Sequence, residues 1–504
     1  MSRAFRSLQK SLRHLHYTWS QYIHLAISIM EKGNAMYDDF VGKHPIDVEN
    51  VKMDKEYPFV LSPYAPSYQR ATPFITLGWP LLIPNEYTSW RDEAIAAQET
   101  CCISGSLNPA PAFRVSGPEA AQFLKDALVN NIDKFPIGTS KHGIACAESG
   151  NIAGNGVLLH TAEDTFEAHW LSPILNIRFM AKQYDATLTD ITNDRFIFQL
   201  IGPKSLQIVE EACEEDFHDL KLCHFREGQI CGHTVRVLRF GMTGGLAYEI
   251  HGDTKDAREI HKRIIEVGNK YGIRLLGLQA YMMSHTGGGS VQFGMHYSAE
   301  IPKEVWDAIA ASHRAEDADP NDSAFFVTNG SAGQDKASQY MNPFELGLGK
   351  IVDFSHDFVG HDALLEYSKD VKRTLVTLKW NPEDLADIYL SQFRDEEPYS
   401  PMDHPGQEYL EDHLVKLEFD YVLDADGNTI GISGGRTLMP WHHVMISLAS
   451  IDLAYTELGT EVYVLFGEPG SRQKKVRATV EPVPYNTNYS NRTFDVEEIP
   501  HYVG

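Results

Sequence analysis

The sequence predicts an α+β protein of several domains that ends in a β-rich domain. With 504 residues, the chain is too long for one ordinary domain. A strand, a Gly-Pro pair and a helix follow one another twice, in residues 112–125 and in residues 196–209, which indicates two related α+β units. Residues 371–485 hold many short alternating runs separated by turn signals, a pattern typical of a small β-barrel or sandwich.

Caps, turns and hairpins define the N-terminal units. Thr88 or Ser89 is a suitable N-cap for a helix whose first turn is acidic. Pro118 suits the first position of the helix that follows the first strand. Residues 143–160 and 233–251 alternate around Gly turns, so we expect a hairpin in each.

The second half of the chain begins with a helix and a long irregular stretch. Residues 257–271 are amphipathic, and Gly272 is expected to end that helix. Residues 312–340 are polar and acidic with little pattern, so they predict a loop. A second acidic insert covers residues 381–414, and Asp426-Gly-Asn supplies a hairpin turn between two predicted strands.

Composition and charge exclude several function classes. Apolar residues make up 43% of the chain and aromatic residues 11%, which is enough for a sizeable core. The formal net charge of −25 opposes a phosphate backbone, so we expect no nucleic-acid partner, although a basic pocket for a small anion stays compatible with it. No apolar run reaches the roughly 18 residues of a spanning helix, so we expect no membrane insertion.

The cysteines indicate a reducing compartment rather than a disulfide framework. No CxxC pair or zinc-ligand spacing occurs, so we expect free thiols, no bound metal and a cytoplasmic protein. Residues 1–36 are basic, with no acidic side chain before Glu31, which is typical of a targeting leader. The alternative is a non-native extension upstream of a start at Met36, and both interpretations stay open.

A Gly-x-Ser-x-Gly string at residues 431–435 matches the nucleophile motif of serine hydrolases. Such a nucleophile needs a helix directly after the serine. Here the chain continues through Arg-Thr-Leu-Met to Pro440, so we expect no catalytic serine.

Four segments resemble a single protein family, and they occur in that family's order. Residues 149–159 form a Gly-rich turn, residues 238–252 form a strand, a Gly-rich turn and a second strand, and residues 273–281 lead into a helix. Residues 341–364 join an Asn-Pro turn, a short strand, a polar loop and a helix start. Together they resemble the T-protein (aminomethyltransferase) family, most closely its tetrahydrofolate-dependent vanillate, 3-O-methylgallate and syringate O-demethylases.

The resemblance implies a three-domain ring around a central folate site, with a β-rich C-terminal barrel. It divides the chain into five parts. These are a leader or extension (1–36), two interleaved α+β subdomains for folate and substrate (37–340), a connecting segment (341–370), the β-rich domain (371–490) and a tail (491–504).

The resemblance also implies a cofactor site. Glu249 falls where the family has a carboxylate that binds the pterin, and Tyr248 and Gln279 are expected in the same site. A pterin presents its 2-amino group and N3–H side by side, and one carboxylate can accept hydrogen bonds from both. Gln279 replaces an arginine of the family, which leaves the charge contact made there open.

Two residues are expected to act on the transferred group. Tyr281 falls where the O-demethylases have their catalytic tyrosine, and a phenol with an ordinary pKa of about 10 is neutral at pH 7. Asn155 stands where the family has an acidic residue facing the transferred carbon. Because an amide carries no negative charge, this replacement argues against aminomethyl chemistry and matters less for an ether.

The substrate positions differ from those of the vanillate enzymes. Leu171 replaces the arginine that holds the aryl carboxylate, and Pro80 replaces an aromatic neighbour. We therefore expect a less polar or differently anchored substrate, with Arg178 as a substitute anchor.

The predicted function is a tetrahydrofolate-dependent O-demethylase. It would transfer a methyl group from a small methoxyarene, such as a methoxybenzoate-like compound, to N5 of tetrahydrofolate, in the catabolism of lignin-derived aromatics. Two alternatives stay open: a demethylase of the same fold acting on a sulfonium or a methylated amine, and a folate-binding regulatory protein without turnover. We expect a monomer or homodimer.

Overall fold

The computed structural model describes residues 60–61, 70–76, 79–105, 108–171, 174–302, 326–402, 408–409, 415–486 and 490–503. The predicted leader, residues 1–36, lies outside the described residues. No helix of the described part is both long and apolar enough to cross a membrane. All six cysteines lie within the described part, and all are free of disulfide bonds.

A six-stranded sheet forms the first core. Its strands, in spatial order, are β11 (Phe225–Ile230), β12 (His233–Leu238), β13 (Ala247–Asp253), β10 (Arg195–Ile201), β4 (Cys102–Ser104) and β14 (Arg274–Leu275). Helices α4 (Ser205–Cys213) and α5 (Ala257–Gly268) contribute to the same core as Phe196, Phe198 and Leu200 of β10. Since side chains alternate along a strand, Gln199 lies on the opposite face, away from these helices.

A five-stranded sheet forms the second core. Its spatial order is β6 (Thr139–Cys146), β7 (Ile152–Ala162), β8 (Thr165–His169), β5 (Ala112–Ser116) and β9 (Thr187–Asp190). Helices α2 (Ala120–Ala127) and α3 (Ile174–Ala181) pack against it. Strand β4 precedes this sheet in the chain and β10 follows it, so the two α+β units are interleaved.

The C-terminal strands close into a six-stranded barrel. In order around the ring they are β18 (Val415–Leu423), β19 (Thr429–Met439), β20 (Val444–Asp452), β16 (Arg373–Trp380), β22 (Lys474–Glu481) and β21 (Glu461–Phe466), and β21 pairs back to β18. Helix α9 (Pro382–Ser391) contributes Ile388 to the barrel core. The predicted α+β class and the β-rich C-terminal barrel are confirmed.

The smaller elements surround these three units. They are β1 (Val60–Leu61), β2 (Arg70–Thr76), β3 (Trp79–Glu86), α1 (Trp90–Glu99), α6 (Leu278–Gly287), β15 (Phe326–Asn329), α7 (Lys336–Gln339), α8 (His361–Ser368) and β17 (Glu408–Tyr409). The loop predicted for residues 312–340 is wrong at β15, which pairs in parallel with β18, and at the short helix α7. Residues 312–325 of that stretch lie outside the described residues. Strand β15 depends on a partner almost ninety positions away, for which the local sequence carries no signal.

Helix α6 joins the units. It packs against α1 and β3 on one side and against the barrel strands β19 and β20 on the other. Thr286 donates a hydrogen bond of 2.8 Å to the carbonyl of Gly435 in β19. At the other end of the helix, the buried Glu93 accepts a 2.8 Å hydrogen bond from the backbone N–H of Gly277. A Cβ at Gly277 would lie 2.2 Å from the carbonyl oxygen of Asn85, so only glycine allows this approach.

Candidate active site

A cavity lies where the two α+β sheets meet helix α6. Its wall includes Asn155 of β7, Glu249 of β13 and Tyr281 of α6, so the structure brings together three predicted site residues from distant parts of the sequence. The cavity volume is about 140 Å³, which is the liquid volume of about five water molecules. Apolar side chains, among them Leu278 and Met282, form much of the remaining wall.

Glu249 is buried, and both of its carboxylate oxygens already have a partner. Oε1 accepts a 2.8 Å hydrogen bond from Nε2 of Gln199, the residue directly opposite on β10. Oε2 lies 2.9 Å from Nε2 of His251, which shares the same face of β13. A carboxylate has about four acceptor positions, so roughly two remain for a ligand in the cavity.

The neighbours of Glu249 present further acceptors. Burial lowers the pKa of His251, although the Glu249 carboxylate beside it acts in the opposite direction, so the ring is neutral at pH 7. When Nε2–H donates to Glu249, Nδ1 is an acceptor. Among the described residues, neither Nδ1 of His251 nor Oε1 of Gln199 has a hydrogen-bond partner, and both atoms are buried. We call Glu249, Gln199 and His251 the acceptor wall.

Tyr281 faces the same cavity from α6. Burial raises the pKa of its phenol well above the ordinary value, and the nearby charge of Glu249 raises it further. The hydroxyl therefore stays protonated through neutral pH and remains a hydrogen-bond donor. The ring packs edge-on against His285, with the ring centroids 4.9 Å apart.

Asn155 is held by two side chains that the sequence analysis did not single out. The hydroxyl of Tyr297 donates a 2.9 Å hydrogen bond to Oδ1, and Nδ2 lies 3.0 Å from Nε2 of His142. Burial lowers the pKa of His142 to about 4, so its ring is neutral and Nε2 can accept from the amide. The predicted hairpin of residues 143–160 places β6 and β7 side by side, which is the one signal that could have pointed to His142.

An ion pair joins the two sheets beside the cavity. Glu167 of β8 accepts a 2.8 Å hydrogen bond from Arg114 within its own sheet and one of 2.7 Å from Arg236 of the six-stranded sheet. Burial alone would raise the pKa of Glu167, but His169 and Arg236 beside it hold that pKa well below its usual range. The rings of His169 and His251 complete this junction, with centroids 5.6 Å apart.

Two predicted cofactor residues lie elsewhere. Tyr248 is fully buried in the core of the six-stranded sheet, because strand alternation turns it away from its neighbour Glu249. This corrects the expectation that Tyr248 contacts the cofactor. Gln279 lies in the first turn of α6 but is not part of the described cavity wall.

The predicted substrate residues also lie off the cavity wall. Leu171 is buried in the core of the five-stranded sheet, behind Gly156. Arg178 donates hydrogen bonds to the carbonyls of Ala127 and Cys146, so it ties α3 to the sheet and is not placed to anchor a substrate. Of Pro80, the structure describes only a backbone position in β3.

One cluster outside the cavity has the composition of a metal site. It contains Asp216, His218 and His501. Both ring nitrogens of His218 are already used, because Nδ1 lies 2.8 Å from Glu210 and Nε2 lies 3.0 Å from the carbonyl of Ile499. The rings of His218 and His501 stack at 3.7 Å, so the cluster attaches the C-terminal segment to the six-stranded unit.

Comparison with known proteins decides the family. Residues 69–304 match the GCVT N-terminal domain. The chain is 38% identical over 426 residues to the sesamin methylene transferase of Sinomonas sp. (strain No.22), and the alignment covers 83% of this chain and 93% of that protein. This chain belongs to the T-protein (aminomethyltransferase) family. The resemblance seen in the sequence is thereby confirmed, and the protein is an enzyme of this one-carbon-transferring family.

Two further comparisons refine its place in the T-protein family. The chain is 28% identical to the syringate O-demethylase of Sphingobium sp. (strain NBRC 103272 / SYK-6), with 80% of this chain and 90% of that protein covered, so it lies near the O-demethylase branch. The crystal structure of the glycine cleavage system aminomethyltransferase T from Bartonella henselae has the same fold. Its TM-score is 0.56 at 18% identity, over 82% of this chain and 94% of that one.

Proposed function

We propose that this T-protein family member transfers the methyl group of a small aryl methyl ether to N5 of tetrahydrofolate. The observation that supports the proposal is a single cavity holding a buried carboxylate, a protonated phenol and an oriented amide, supplied by Glu249, Tyr281 and Asn155. Such a transfer is a displacement at carbon. It needs a nucleophile held in line with the methyl group and a proton or hydrogen bond for the departing oxygen.

Tetrahydrofolate fits the acceptor wall. A pterin offers adjacent N–H donors, and the cavity wall holds the Glu249 carboxylate together with two buried acceptors that have no partner among the described residues, Oε1 of Gln199 and Nδ1 of His251. Each buried acceptor without a partner costs roughly 1–3 kcal/mol, so the wall favours a donor-rich ring. When bound, the folate supplies the nucleophilic nitrogen that accepts the methyl group.

Tyr281 is the group that can assist the leaving oxygen. Its raised pKa keeps the proton on the phenol in the resting enzyme. A phenolate leaving from the substrate has a basicity similar to that of a tyrosine, so a hydrogen bond from Tyr281 strengthens as negative charge develops on that oxygen. Assistance of this kind typically contributes roughly 10² to 10⁴ in rate.

Asn155 orients the reacting groups without adding charge. Tyr297 holds its amide oxygen and His142 accepts one of its two N–H groups, which leaves the second N–H for a ligand. An aspartate at this position would stabilise a cationic, iminium-like centre. Transfer of an ether methyl group to a neutral amine depends less on a negative charge at this position. The amide therefore supports ether demethylation over aminomethyl transfer.

A second candidate is transfer of a methylene group to the folate. The 38% identity to a protein named sesamin methylene transferase supports it. Such a reaction can use the same acceptor wall and the same donor at Tyr281. It differs in the oxidation level of the carbon that reaches the folate.

Mass spectrometry of the folate product tests both candidates. Purified protein is incubated with tetrahydrofolate and a panel of methoxyarenes, methylenedioxyarenes, a methyl sulfonium and a methylated amine. We expect 5-methyltetrahydrofolate and the demethylated phenol in equal amounts from a methoxyarene, and neither without tetrahydrofolate. A methylene-bearing folate from a methylenedioxyarene would support the second candidate. If a folate product forms only with the sulfonium or the amine, and not with any methoxyarene, the aryl-ether proposal is overturned.

A further inference from the structure

The cavity has a second polar feature that the folate proposal does not use. It consists of His169, the last residue of β8, and Trp170, which follows it, and both line the cavity. His169 is 2% exposed, and neither of its ring nitrogens has a hydrogen-bond partner in the described part of the chain. Its Nε2 lies 3.9 Å from Glu167, an electrostatic contact that lowers the pKa of that carboxyl but is too long for a hydrogen bond. The imidazole on the cavity wall therefore keeps its hydrogen-bonding capacity for a ligand.

Trp170 has an unusual backbone conformation. Its φ is 66°, in the left-handed region that large side chains rarely occupy. The backbone N–H of Trp170 donates a 2.9 Å hydrogen bond to the carbonyl of Pro111, which helps to hold this conformation. Strained residues of this kind concentrate at ligand sites. Here the turn brings a half-buried indole to the cavity directly beside the imidazole of His169.

Among the residues that the structure describes, the cavity wall offers no cation to a substrate. None of the described residues on its wall is a lysine or an arginine. The nearby Arg236 is engaged with Glu167, and Arg178 donates to backbone carbonyls. A substrate carboxylate would lose its hydration without gaining a partner, and the buried Glu249 would repel it.

We propose that Trp170 and His169 recognise the aryl part of the methyl donor and select an uncharged arene. The proposal rests on the proposed function and names the substrate class. The indole stacks on the flat ring of the substrate, and a ring nitrogen of His169 forms a hydrogen bond to a hydroxyl or ether oxygen on that ring. A neutral methoxyphenol satisfies both contacts, and a methoxybenzoate adds a charge that no described residue of the wall can pair.

Two matched arenes test this selection. They are 4-hydroxy-3-methoxybenzyl alcohol, which is neutral, and 4-hydroxy-3-methoxybenzoate, which carries a carboxylate on an otherwise identical ring. Calorimetric titration of the protein in the presence of folate measures both dissociation constants without relying on turnover. We expect the neutral arene to bind at least tenfold more tightly. Equal or tighter binding of the benzoate, or no binding of either arene, would overturn the selection.

Variants separate a binding role from a packing role. Trp170→Gly removes the indole and suits the left-handed backbone, so we expect a Tm within a few degrees of the parent and at least tenfold weaker binding of the neutral arene. His169→Phe keeps an aromatic ring but removes the hydrogen bond, so the hydroxylated arene should lose affinity more than methoxybenzene does. Trp90→Phe, in α1 outside the described cavity wall, is the matched control and should bind like the parent. Unchanged arene affinity in Trp170→Gly would overturn the assignment.

The two proposals can fail separately. Tight binding of the neutral arene with no folate product from any donor leaves the selection standing and removes the demethylase. Folate product formed with a preference for the benzoate leaves the demethylase standing and removes the selection.

Discussion

The hydroxyl of Tyr297 donates a hydrogen bond of 2.9 Å to the amide oxygen of Asn155, a residue 142 positions earlier in the chain. Tyr297 is fully buried, and burial raises the pKa of its phenol far above the ordinary value, so it remains a donor at any physiological pH. With Oδ1 of Asn155 fixed in this way, its nitrogen is directed to His142 and to the cavity. The orientation of Asn155 therefore depends on Tyr297.

Replacing Tyr297 by phenylalanine should reduce turnover more than binding. The ring still fills its space, but the amide of Asn155 loses the donor that orients it, so we expect kcat to fall about tenfold, the equivalent of one hydrogen bond. Single-turnover kinetics and calorimetry with folate measure the two effects. In an Asn155→Ala background, Tyr297→Phe should cause no further fall in kcat. If the two losses add, Tyr297 does not act through Asn155.

Replacing Tyr281 by phenylalanine should lower kcat by roughly 10² to 10⁴ and leave the folate dissociation constant within about threefold. Because burial and the charge of Glu249 raise the pKa of this phenol, it stays protonated past its ordinary value of about 10. The ratio of parent to variant rates should therefore stay constant between pH 7 and pH 9.5, measured with a methoxyarene donor. A ratio that falls toward unity across this interval would mean that the phenol ionises there.

Replacing Glu249 by glutamine should weaken folate binding by roughly 10- to 100-fold. The amide has one acceptor oxygen in place of two, and it loses the charge that strengthens hydrogen bonds from the ligand. Fluorescence or calorimetric titration with tetrahydrofolate measures the loss. Glu227→Gln, at an exposed position on β11 of the same sheet, is the control and should bind folate like the parent. Unaltered affinity in Glu249→Gln would remove the carboxylate from the folate site.

Local patterns predicted the elements that surround this site. The hairpins of residues 143–160 and 233–251 correspond to β6–β7 and β12–β13, and the amphipathic run from residue 257 corresponds to α5. Alternation and Gly turns are local properties, so one sequence suffices to find them. The same alternation rule would have placed the side chain of Tyr248 on the other face of the strand from Glu249 and so excluded Tyr248 from the site.

The contacts that complete the site could not be predicted in this way. Tyr297 and Gln199 have no local feature that distinguishes a functional side chain from a core residue. Tyr297 reaches Asn155 across 142 positions and Gln199 reaches Glu249 across 50, and no periodicity spans these separations. The placement of Glu249 and Tyr281 in one cavity was expected only from the resemblance to a family, and periodicity alone would not have joined them.

Replacing Arg236 by methionine should destabilise the protein and disturb the cavity. Arg236 supplies the 2.7 Å contact between the sheets, and its loss leaves the buried Glu167 with a hydrogen bond from Arg114 and the longer contact to His169. We expect a loss of roughly 2–4 kcal/mol in the free energy of unfolding, measured by denaturant titration. Arg114→Met is the matched control, because it removes the other contact to the same carboxylate within one sheet at a partly exposed position. An equal or larger loss in the control would contradict the importance of the inter-sheet contact.

The barrel contains a carboxyl group that makes stability depend on pH. Asp420 of β18 is buried, and burial raises its pKa to about 7 from an ordinary 3.8, although Arg436 acts in the opposite direction and Glu418 adds to the rise. When the pKa of a carboxyl group is higher in the folded protein than in the unfolded chain, the protonated carboxyl group favours the native state. This contribution is fully present below pH 3.8 and is lost as the pH rises through about 7.

Replacing Asp420 by asparagine should remove this dependence. The amide is neutral at every pH, and its oxygen can still accept the 3.0 Å hydrogen bond from the backbone N–H of Ser331. The variant should therefore gain stability relative to the parent as the pH rises from 5 to 8, by on the order of 1–3 kcal/mol. Urea titrations at both pH values measure the difference, with Asp426→Asn in the exposed barrel turn as the control that should track the parent. If Asp420→Asn instead loses stability toward pH 8, the ionised carboxylate and Arg436 stabilise the fold as an ion pair, and the protonated form is not the native one.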